Sequence, residues 1–224
     1  MTPAEPDFLS NTRASYDAIA ADYTARFGDA PDIKPLDRAV FSTFAETVAA
    51  AGLGPVADLG CGPGRLTVRL RDHGLDAFGI DLSPQMIAQA RQAHPGLRFE
   101  VGSITDLDLP DDSVGGILAW YSLIHLPDEQ LPQALAEFHR VLAPGGELLT
   151  AFQVRDRPHR RDELFGRPVS LDYYSRTPEF VIAAFATAGL PVHTRLVRAP
   201  AADGTELVPQ ALLLARKPAE TPKA

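Results

Sequence analysis

The fold of this chain is decided by one short segment, residues 56–64, which reads VADLGCGPG. Its first four residues form an apolar run that is typical of a buried strand in a parallel sheet. Three alternating glycines follow, and a helical pattern begins at Arg65. Glycine lets a backbone turn at positive φ and lets a ligand approach the main chain closely. A strand, a glycine turn and a helix in this order predict a ligand site at the end of the strand.

Two acidic residues accompany the turn. Asp58 lies inside the predicted strand, where a carboxylate is costly to bury without a partner. Asp81 ends the next predicted strand, 21 positions after Gly60, near the spacing at which a carboxylate accepts hydrogen bonds from ribose hydroxyls. The glycine spacing is G-x-G-x-G, and Arg65 stands where a dinucleotide-binding turn has its last glycine. These features favour a nucleoside that carries positive charge over one that carries phosphate.

The turn and its two acids resemble the first two motifs of the class I S-adenosylmethionine-dependent methyltransferases. The resemblance extends from about Tyr16 to about Lys217, and residues 140–146 also match the family phrase R-V-L-x-P-G-G. It implies S-adenosylmethionine as cofactor and a Rossmann-like α/β fold: a doubly wound, mostly parallel seven-stranded sheet with a C-terminal antiparallel hairpin and N-terminal lid helices. The alternation of predicted strands and helices points to the same doubly wound sheet.

A chain of 224 residues is long enough for one substantial α/β domain. We therefore expect a single methyltransferase domain over residues 1–224. Residues 1–52 are predicted to form lid helices and residues 53–154 the cofactor-binding core. Residues 155–176 interrupt the alternation with charged, proline and aromatic residues, which predicts a substrate-covering insertion. Residues 177–217 are predicted to form a last helix and an antiparallel hairpin.

The composition limits the classes of ligand and partner that we expect. A formal net charge of −8 disfavours a nucleic-acid partner. The single cysteine excludes an internal disulfide and fits a reducing compartment. No apolar run approaches membrane-spanning length, and no histidine pair has metal-ligand spacing. We therefore predict a cytoplasmic monomer or homodimer that acts on a small molecule and uses no metal, nucleic acid or membrane.

The resemblance also implies which residues contact the cofactor. In the family, a carbonyl near Ala119 accepts a hydrogen bond from the ammonium group, and the turn at Ser103 borders the adenine, although Asp is commoner there. Tyr16 and Tyr23 match the tyrosines of a lid motif, Y-D-x-x-A-x-x-Y, and core packing is the alternative. The expected cofactor contacts are Tyr16, Tyr23, Asp58, Gly60, Cys61, Gly62, Asp81, Leu82, Met86, Ser103, Ile104, Ala119, Trp120 and Tyr121.

A general base matters only if the acceptor must lose a proton, because the methyl group of S-adenosylmethionine is already electrophilic. His125 follows the fourth predicted strand at the expected reaction face and is the first candidate. His159, in the insertion, is the second, since an imidazole titrates near neutral pH. A histidine that closes the loop before Pro127 is an equally good interpretation of His125.

The insertion carries more arginines than acids although the whole protein is acidic. Arg160 and Arg161 are therefore candidates for binding an anionic group of the substrate, and Tyr173 and Tyr174 for lining an aromatic pocket. A solvated loop with internal ion pairs is the alternative for the arginines, and packing against the last helix is the alternative for the tyrosines.

The sequence thus predicts transfer of a methyl group from S-adenosylmethionine to an oxygen, nitrogen or carbon atom of a small molecule. A protein of the same fold that binds S-adenosylmethionine without transferring a methyl group is the alternative. A nicotinamide-dependent oxidoreductase is disfavoured by Asp58, by Arg65 and by the C-terminal hairpin.

Overall fold

A computed structural model describes residues 6–28 and 33–219 of the protein. The elements, in chain order, are α1 (Asp7–Phe27), α2 (Pro35–Ala51), β1 (Val56–Leu59), α3 (Arg65–Asp72), β2 (Ala77–Asp81), α4 (Pro84–Ala93), β3 (Arg98–Val101), β4 (Val114–Trp120), a 3₁₀ turn (Leu123–His125), α5 (Leu131–Val141), β5 (Leu142–Gln153), β6 (His159–Leu164), β7 (Arg167–Tyr173), α6 (Pro178–Thr187), β8 (Val192–Arg198) and β9 (Gln210–Arg216).

The main sheet has the strand order β3-β2-β1-β4-β5-β9-β8. The first five strands in this order are parallel to their neighbours, and β9 runs antiparallel to both β5 and β8. The predicted doubly wound sheet with an antiparallel C-terminal hairpin is confirmed. Strand order reverses between β1 and β4, and ligands of such sheets bind outside the carboxyl ends of the strands at this point.

Both faces of the sheet are covered, because successive side chains of a strand point to opposite faces. In β4, Ile117 packs into a core that includes Phe138 of α5, whereas Leu118 packs into a core that includes Phe41 and Phe44 of α2. Full burial of such side chains stabilises the fold by roughly 1.5–3 kcal/mol each. Two apolar layers therefore explain the continuous apolar runs of the parallel strands and hold their ends in register.

Helix boundaries follow local chemistry. The Ser83 hydroxyl accepts a hydrogen bond from the Met86 N–H at 3.0 Å and so begins α4, with Pro84 in its first turn. Helix α5 begins at Leu131, so that Pro132 lies in the first turn, where a missing N–H costs nothing.

The segment after β5, which the sequence analysis predicted as an insertion without assigning strands to it, contains two strands. Strands β6 and β7 pair antiparallel as a separate two-stranded sheet. Phe165 and Gly166 join them with φ values of 54° and 74°, the pair of positive angles that the favoured tight hairpin turn requires. Helix α1 packs against β7. The insertion is therefore a β-hairpin, and its charged residues hid its strand character from the sequence analysis.

Candidate functional site

A cavity of about 570 Å³ lies beyond the carboxyl ends of β1, β2 and β4, below α1 and the β6–β7 hairpin. Most of the residues that the sequence analysis selected line it. They are Tyr16, Tyr23, Gly60, Gly62, Asp81, Leu82, Met86, Ser103, Ile104, Trp120, Tyr121, His125, His159, Arg161 and Tyr173. The selected residues outside the wall are Asp58, Cys61, Ala119, Arg160 and Tyr174.

The glycine turn forms the floor of the cavity. Gly60 has a φ of 78°, and a Cβ at this position would lie 2.4 Å from the Ser122 Cβ. Only glycine therefore lets the end of β1 and the end of β4 approach this closely. Gly62 has a φ of 54° but no atom near its missing side chain, so its backbone is open to a ligand.

The N–H groups of this turn are used inside the protein. Position 63 is proline and has none. The other four donate as follows: Gly60 to Ile80 O at 2.7 Å, Cys61 to Ile80 O at 3.1 Å, Gly62 to Asp81 Oδ2 at 2.8 Å and Gly64 to Cys61 O at 3.0 Å. A phosphate-binding turn instead points its N–H groups at the ligand. This geometry argues against a dinucleotide diphosphate at the turn.

Asp81 lines the cavity at the end of β2. Its Oδ2 accepts the N–H of Gly62 and its Oδ1 accepts the N–H of Ser83, both at 2.8 Å. Burial raises the pKa of this carboxyl above its usual value, and the two backbone hydrogen bonds oppose the rise. A carboxylate oxygen accepts more than one hydrogen bond, so a fixed Asp81 retains the capacity to bind two hydroxyl groups.

Asp58 lies behind the turn. Its side chain is buried, and its Oδ2 accepts a hydrogen bond from the Thr67 hydroxyl of α3 at 2.7 Å. Burial raises the pKa of Asp58 to about 7, although the bond from Thr67 opposes the rise. From the sequence we expected a cationic ligand to be the partner of the buried Asp58. In the structure the Thr67 hydroxyl, nine residues further along the chain, is already a hydrogen-bond partner of this carboxylate.

Cys61 and Ala119 also lie behind the wall. The Cys61 side chain packs with Ile87, Ala90 and Phe99, and burial raises the pKa of its thiol well above the usual value. Such a thiol is a packing group. The Ala119 carbonyl accepts a hydrogen bond from the Thr150 hydroxyl at 3.0 Å.

Helix α1 brings two tyrosines to the cavity. The Tyr16 and Tyr23 rings meet edge to face, with centroids 6.2 Å apart. The Tyr16 hydroxyl lies 2.7 Å from His125 Nε2, and His125 Nδ1 lies 2.9 Å from the Asp172 carbonyl. A carbonyl only accepts, so Nδ1 carries the proton and the Nε2 lone pair accepts from Tyr16. Burial lowers the pKa of His125 to about 4, so the ring is neutral near pH 7.

Neighbouring arginines of β6 have opposite environments. Arg161 faces the cavity, and within residues 6–28 and 33–219 its guanidinium has no hydrogen bond or ion pair. Arg160 is exposed and donates to Asp162 at 2.9 Å and to Ser170 at 2.8 Å. The predicted pair of arginines is thus divided by the alternation of the strand. Arg155, which the sequence analysis did not select, lines the cavity beside Arg161.

His159 and Tyr173 stack in the same wall, with ring centroids 4.4 Å apart and an angle of 22°. The Nδ1 atom of His159 is buried and has no hydrogen-bond partner among the described residues. Burial, followed by the charges of Arg155 and Arg161, lowers the pKa of this imidazole. Four aromatic rings join the Asp81 side of the cavity to the arginine side. They are, in order, those of Tyr16, His125, Tyr173 and His159, and successive centroids lie 5.4, 4.7 and 4.4 Å apart.

Two further polar groups escaped the sequence analysis. The Ser122 hydroxyl is buried in the wall and has no partner in the described part of the chain. It follows Tyr121, whose φ of 57° is strained for a residue with a side chain. Arg65 also lines the cavity without an ion pair to any described residue. Their positions directly after β4 and after the glycine turn were the signals that could have revealed them.

Residues 6–28 and 33–219 lack the features that a metal site or a membrane-spanning helix requires. In these ranges no three His, Cys, Asp or Glu side chains cluster in a way that could hold a metal ion. None of the helices there combines the length and apolar character that crossing a bilayer requires.

Comparison with known proteins places this site in a family. Residues 56–146 match the model of a methyltransferase domain. This stretch contains the glycine turn, Asp81 and strand β4. Residues 56–146 form a methyltransferase domain of the class I S-adenosylmethionine-dependent type. The family expected from the glycine turn and its two acids is therefore confirmed, and its cofactor is S-adenosylmethionine.

Curated relatives match only part of this methyltransferase. An uncharacterised methyltransferase of Mycobacterium tuberculosis is 38% identical over 104 residues, which are 45% of this chain and 40% of the relative. The malonyl-[acyl-carrier protein] O-methyltransferase of Pectobacterium atrosepticum is 35% identical over 96 residues, 43% of this chain and 37% of the relative. The chain thus spans about two fifths of the length of these relatives.

A solved structure extends the likeness of fold to nearly the whole methyltransferase chain. The magnesium protoporphyrin IX methyltransferase of Synechocystis, solved with bound S-adenosylmethionine, has a TM-score of 0.69 and is 17% identical. The match covers 96% of this chain and 100% of that one. At this identity the match shows the fold alone.

Proposed function

We propose that this protein transfers a methyl group from S-adenosylmethionine to an oxygen, nitrogen or carbon atom of a small-molecule acceptor. One observation carries the proposal: Asp81, at the family's cofactor position, and Arg161, on the hairpin, line the same cavity of about 570 Å³. A cavity of this size is in the range of small-molecule sites. It has room for polar recognition at both ends.

The sheet side of the cavity fits the cofactor. Asp81 would accept hydrogen bonds from the two ribose hydroxyls, and Ser103 and Ile104 would border the adenine. Arg65, which lacks an ion pair to any described residue, would bind the carboxylate of the methionine end. The unpartnered Ser122 hydroxyl would bind a polar group nearby. Bound there, S-adenosylmethionine supplies a methyl group on a positively charged sulfur.

The remaining residues would cover the reacting atoms and orient the bound molecules. Tyr16 and Tyr23 of α1 form one side of the cavity, and Phe165 at the hairpin tip packs near Tyr23 and Phe27 with centroids 6.4 and 6.1 Å apart. This aromatic contact would exclude water from the reacting atoms. The neutral His125, fixed by Tyr16 and the Asp172 carbonyl, would act as a wall group.

We also propose that the acceptor carries an anionic group. Arg155 and Arg161 line the cavity in a protein whose formal net charge is −8. A guanidinium without an acidic partner is suited to binding a carboxylate or phosphate with two parallel hydrogen bonds. The monomeric or homodimeric state and the cytoplasmic location stay predictions.

Two measurements test the proposed function. Isothermal titration calorimetry with S-adenosylhomocysteine should give a dissociation constant in the micromolar range. This corresponds to a binding free energy on the order of −8 kcal/mol. Incubation with methyl-labelled S-adenosylmethionine and a panel of small acids, alcohols and amines should label at least one acceptor. Absence of binding at millimolar S-adenosylhomocysteine would rule out the proposal.

A further inference from the structure

We infer that the acceptor atom is an oxygen of a carboxylate, so that this protein forms a methyl ester without a general base. The inference rests on the proposed function and specifies its substrate class. It follows from two observations on the cavity wall. His125 and the wall carboxylates, which could remove a proton, are already hydrogen-bonded, and the unpartnered His159 is under the charge of two guanidinium groups that oppose its protonation. On the hairpin side, Arg155 and Arg161 form no ion pair with any described residue.

His125 is not available as a base. Its Nε2 lone pair accepts the Tyr16 hydroxyl and its Nδ1 proton is donated to the Asp172 carbonyl. The groups that face it are Tyr16 of α1, Tyr173 and Asp172 of β7 and His159 of β6. In this ring both nitrogens already have partners, and burial favours the neutral form.

The carboxylates of the wall are engaged as well. Both Glu206 oxygens accept hydrogen bonds from the Arg198 guanidinium, and one also accepts the Ala201 N–H. These bonds lower the pKa of Glu206 below its usual value, so it is a weak proton acceptor. Asp81 is bonded to two backbone N–H groups and is assigned to the cofactor.

His159 is the remaining imidazole, and its neighbours suit it to another role. Tyr173 stacks on it, and the charges that act on it come from Arg155 and Arg161. Two adjacent cations oppose protonation of the ring, which makes it a poor base. A neutral imidazole still donates one N–H, so His159 together with the two guanidinium groups forms a set of donors for an oxyanion.

A carboxylate fits this set of donors and needs no base. Its oxygen forms the new O–CH₃ bond with one of its own lone pairs, while the S–CH₃ bond breaks and that electron pair stays on sulfur. An anion and a sulfonium become a neutral ester and a neutral thioether, and no proton is transferred. An alcohol or an ammonium acceptor would have to lose a proton, and the unpartnered imidazole of the described wall, His159, is the one whose protonation burial and the adjacent cations oppose.

The mouth of the cavity indicates the rest of the acid. Leu207 lines it and is 78% exposed, and Val208 and Leu164 line it nearby. Exposed apolar side chains next to a charged pocket suit a ligand with a charged end and an apolar body. We therefore choose hexanoate and phenylacetate as probes.

Binding of the probes is measured without turnover. The protein has one tryptophan, Trp120, and it lines the cavity, so its fluorescence reports on ligands. In the presence of saturating S-adenosylhomocysteine, hexanoate or phenylacetate should quench or shift the emission. The variant Arg161→Ala should bind the acid about 10-fold or more weakly. The adjacent, outward-facing Arg160→Ala is the matched control and should change affinity less than about 2-fold. Equal losses in both variants would overturn the inference.

Turnover identifies the acceptor atom. The wild-type protein is incubated with methyl-tritiated S-adenosylmethionine and with hexanoate, phenylacetate, hexanol or hexylamine. The inference predicts label only with the acids, in a product that alkali converts to volatile methanol, as an ester requires. Label that resists alkali, label with the alcohol or amine, or no label with either acid overturns the inference. Labelling of the alcohol or amine would leave the proposed function intact, whereas loss of S-adenosylhomocysteine binding would remove both.

The pH profile and the histidines give an independent readout. Between pH 6 and pH 9 the wild-type kcat should be flat, because a carboxylate stays ionised there. His159→Gln should keep kcat within about 10-fold and raise KM, whereas loss of a general base costs about 10²–10⁴-fold in kcat. A fall of that size, with a kcat that depends on one ionisation near pH 6, would overturn the inference even if the Arg161 variant failed to fold.

Discussion

The two walls of the cavity are built in different ways. The sheet wall consists of short turns at the ends of β1, β2 and β4, held by backbone hydrogen bonds such as Gly60 N–H to the Ile80 carbonyl at 2.7 Å. The hairpin wall consists of β6, β7 and α1, and α1 is held to β7 by side chains that are distant in sequence, such as Asp22 and Arg167. The β1, β2 and β4 ends of the sheet wall lie within residues 56–146, which match the methyltransferase-domain model, whereas the hairpin wall lies outside them.

The difference indicates which substitutions should affect each wall. Backbone bonds do not depend on side-chain identity, so the shape of the sheet wall depends little on the side chains around its turns. The hairpin wall depends on individual side chains, including Arg155, His159 and Arg161. Substitutions in the first wall should therefore affect cofactor binding and folding, and substitutions in the second should affect the acceptor.

The largest expected effect concerns the buried carboxylate behind the sheet wall. The folded-state pKa of Asp58 is about 7, against about 3.9 in an unfolded chain. Stability from this group is therefore fully present below about pH 4 and is lost as pH rises to 7, since the folded state holds the proton longer. Urea unfolding should show about 3 kcal/mol less stability from Asp58 at pH 8 than at pH 5. Asp58→Asn should not show this loss of stability between pH 5 and pH 8. If the variant and the wild-type protein had the same pH dependence, the raised pKa would not belong to Asp58.

The next effect separates the two acids of the sheet wall. Asp81→Ala would remove the two charge-assisted hydrogen bonds that we propose Asp81 makes to the ribose. Together these are worth about 3 kcal/mol, or about 100-fold in the dissociation constant of S-adenosylmethionine. Asp58→Asn, behind the wall, should weaken binding less than about 10-fold. Equilibrium dialysis with labelled cofactor, together with circular dichroism to verify folding, checks both variants. A reversed order would place Asp58 at the ligand.

A smaller effect tests how closely the strand ends approach. Gly60→Ala places a methyl group 2.4 Å from the Ser122 Cβ at a φ of 78° and should lower the free energy of unfolding by about 2–3 kcal/mol. Gly62→Ala has a φ of 54° and no atom within 4 Å, so it should cost about 1 kcal/mol. Urea denaturation measures the pair, and equal costs would mean that the clash is absent.

The smallest effect lies at the hairpin tip. Phe165 packs beside Phe27, and Arg167 pairs with Asp22 of α1 at 3.0 Å with both partners exposed. Arg167→Ala should change the free energy of unfolding by less than about 1 kcal/mol, because the ion pair is exposed. Phe165→Ala should raise KM for the acceptor several-fold and leave S-adenosylhomocysteine binding unchanged. Arg71→Ala, in the exposed pair with Asp72 far from the hairpin, is the control. An unchanged KM would show that the tip does not cover the acceptor.

Local rules were sufficient for the sheet wall. The apolar run before Gly60 and the Ser83–Pro84 start of α4 each depend on residues within a few positions, so their structure followed from the sequence. Asp81 lies 21 positions after Gly60 and was found from the known spacing of this motif. The seven-stranded sheet followed from the alternation of such units.

The hairpin wall depended on contacts that no local rule contains. Arg160 and Arg161 looked equivalent in sequence, and only the assignment of β6 as a strand shows that they face opposite sides. The bond between Tyr16 and His125 joins residues 109 positions apart. The charge pattern of the segment suggested a loop, since alternating apolar residues, the usual strand signal, are missing there.

The division of the cavity is tested most directly by calorimetric titration of S-adenosylhomocysteine into Asp81→Asn and Arg161→Ala side by side with the wild-type protein. The account predicts that Asp81→Asn weakens binding by about 10-fold or more, whereas Arg161→Ala leaves the affinity within about 2-fold of the wild-type value. Weaker binding in the Arg161 variant with wild-type affinity in the Asp81 variant would contradict the account.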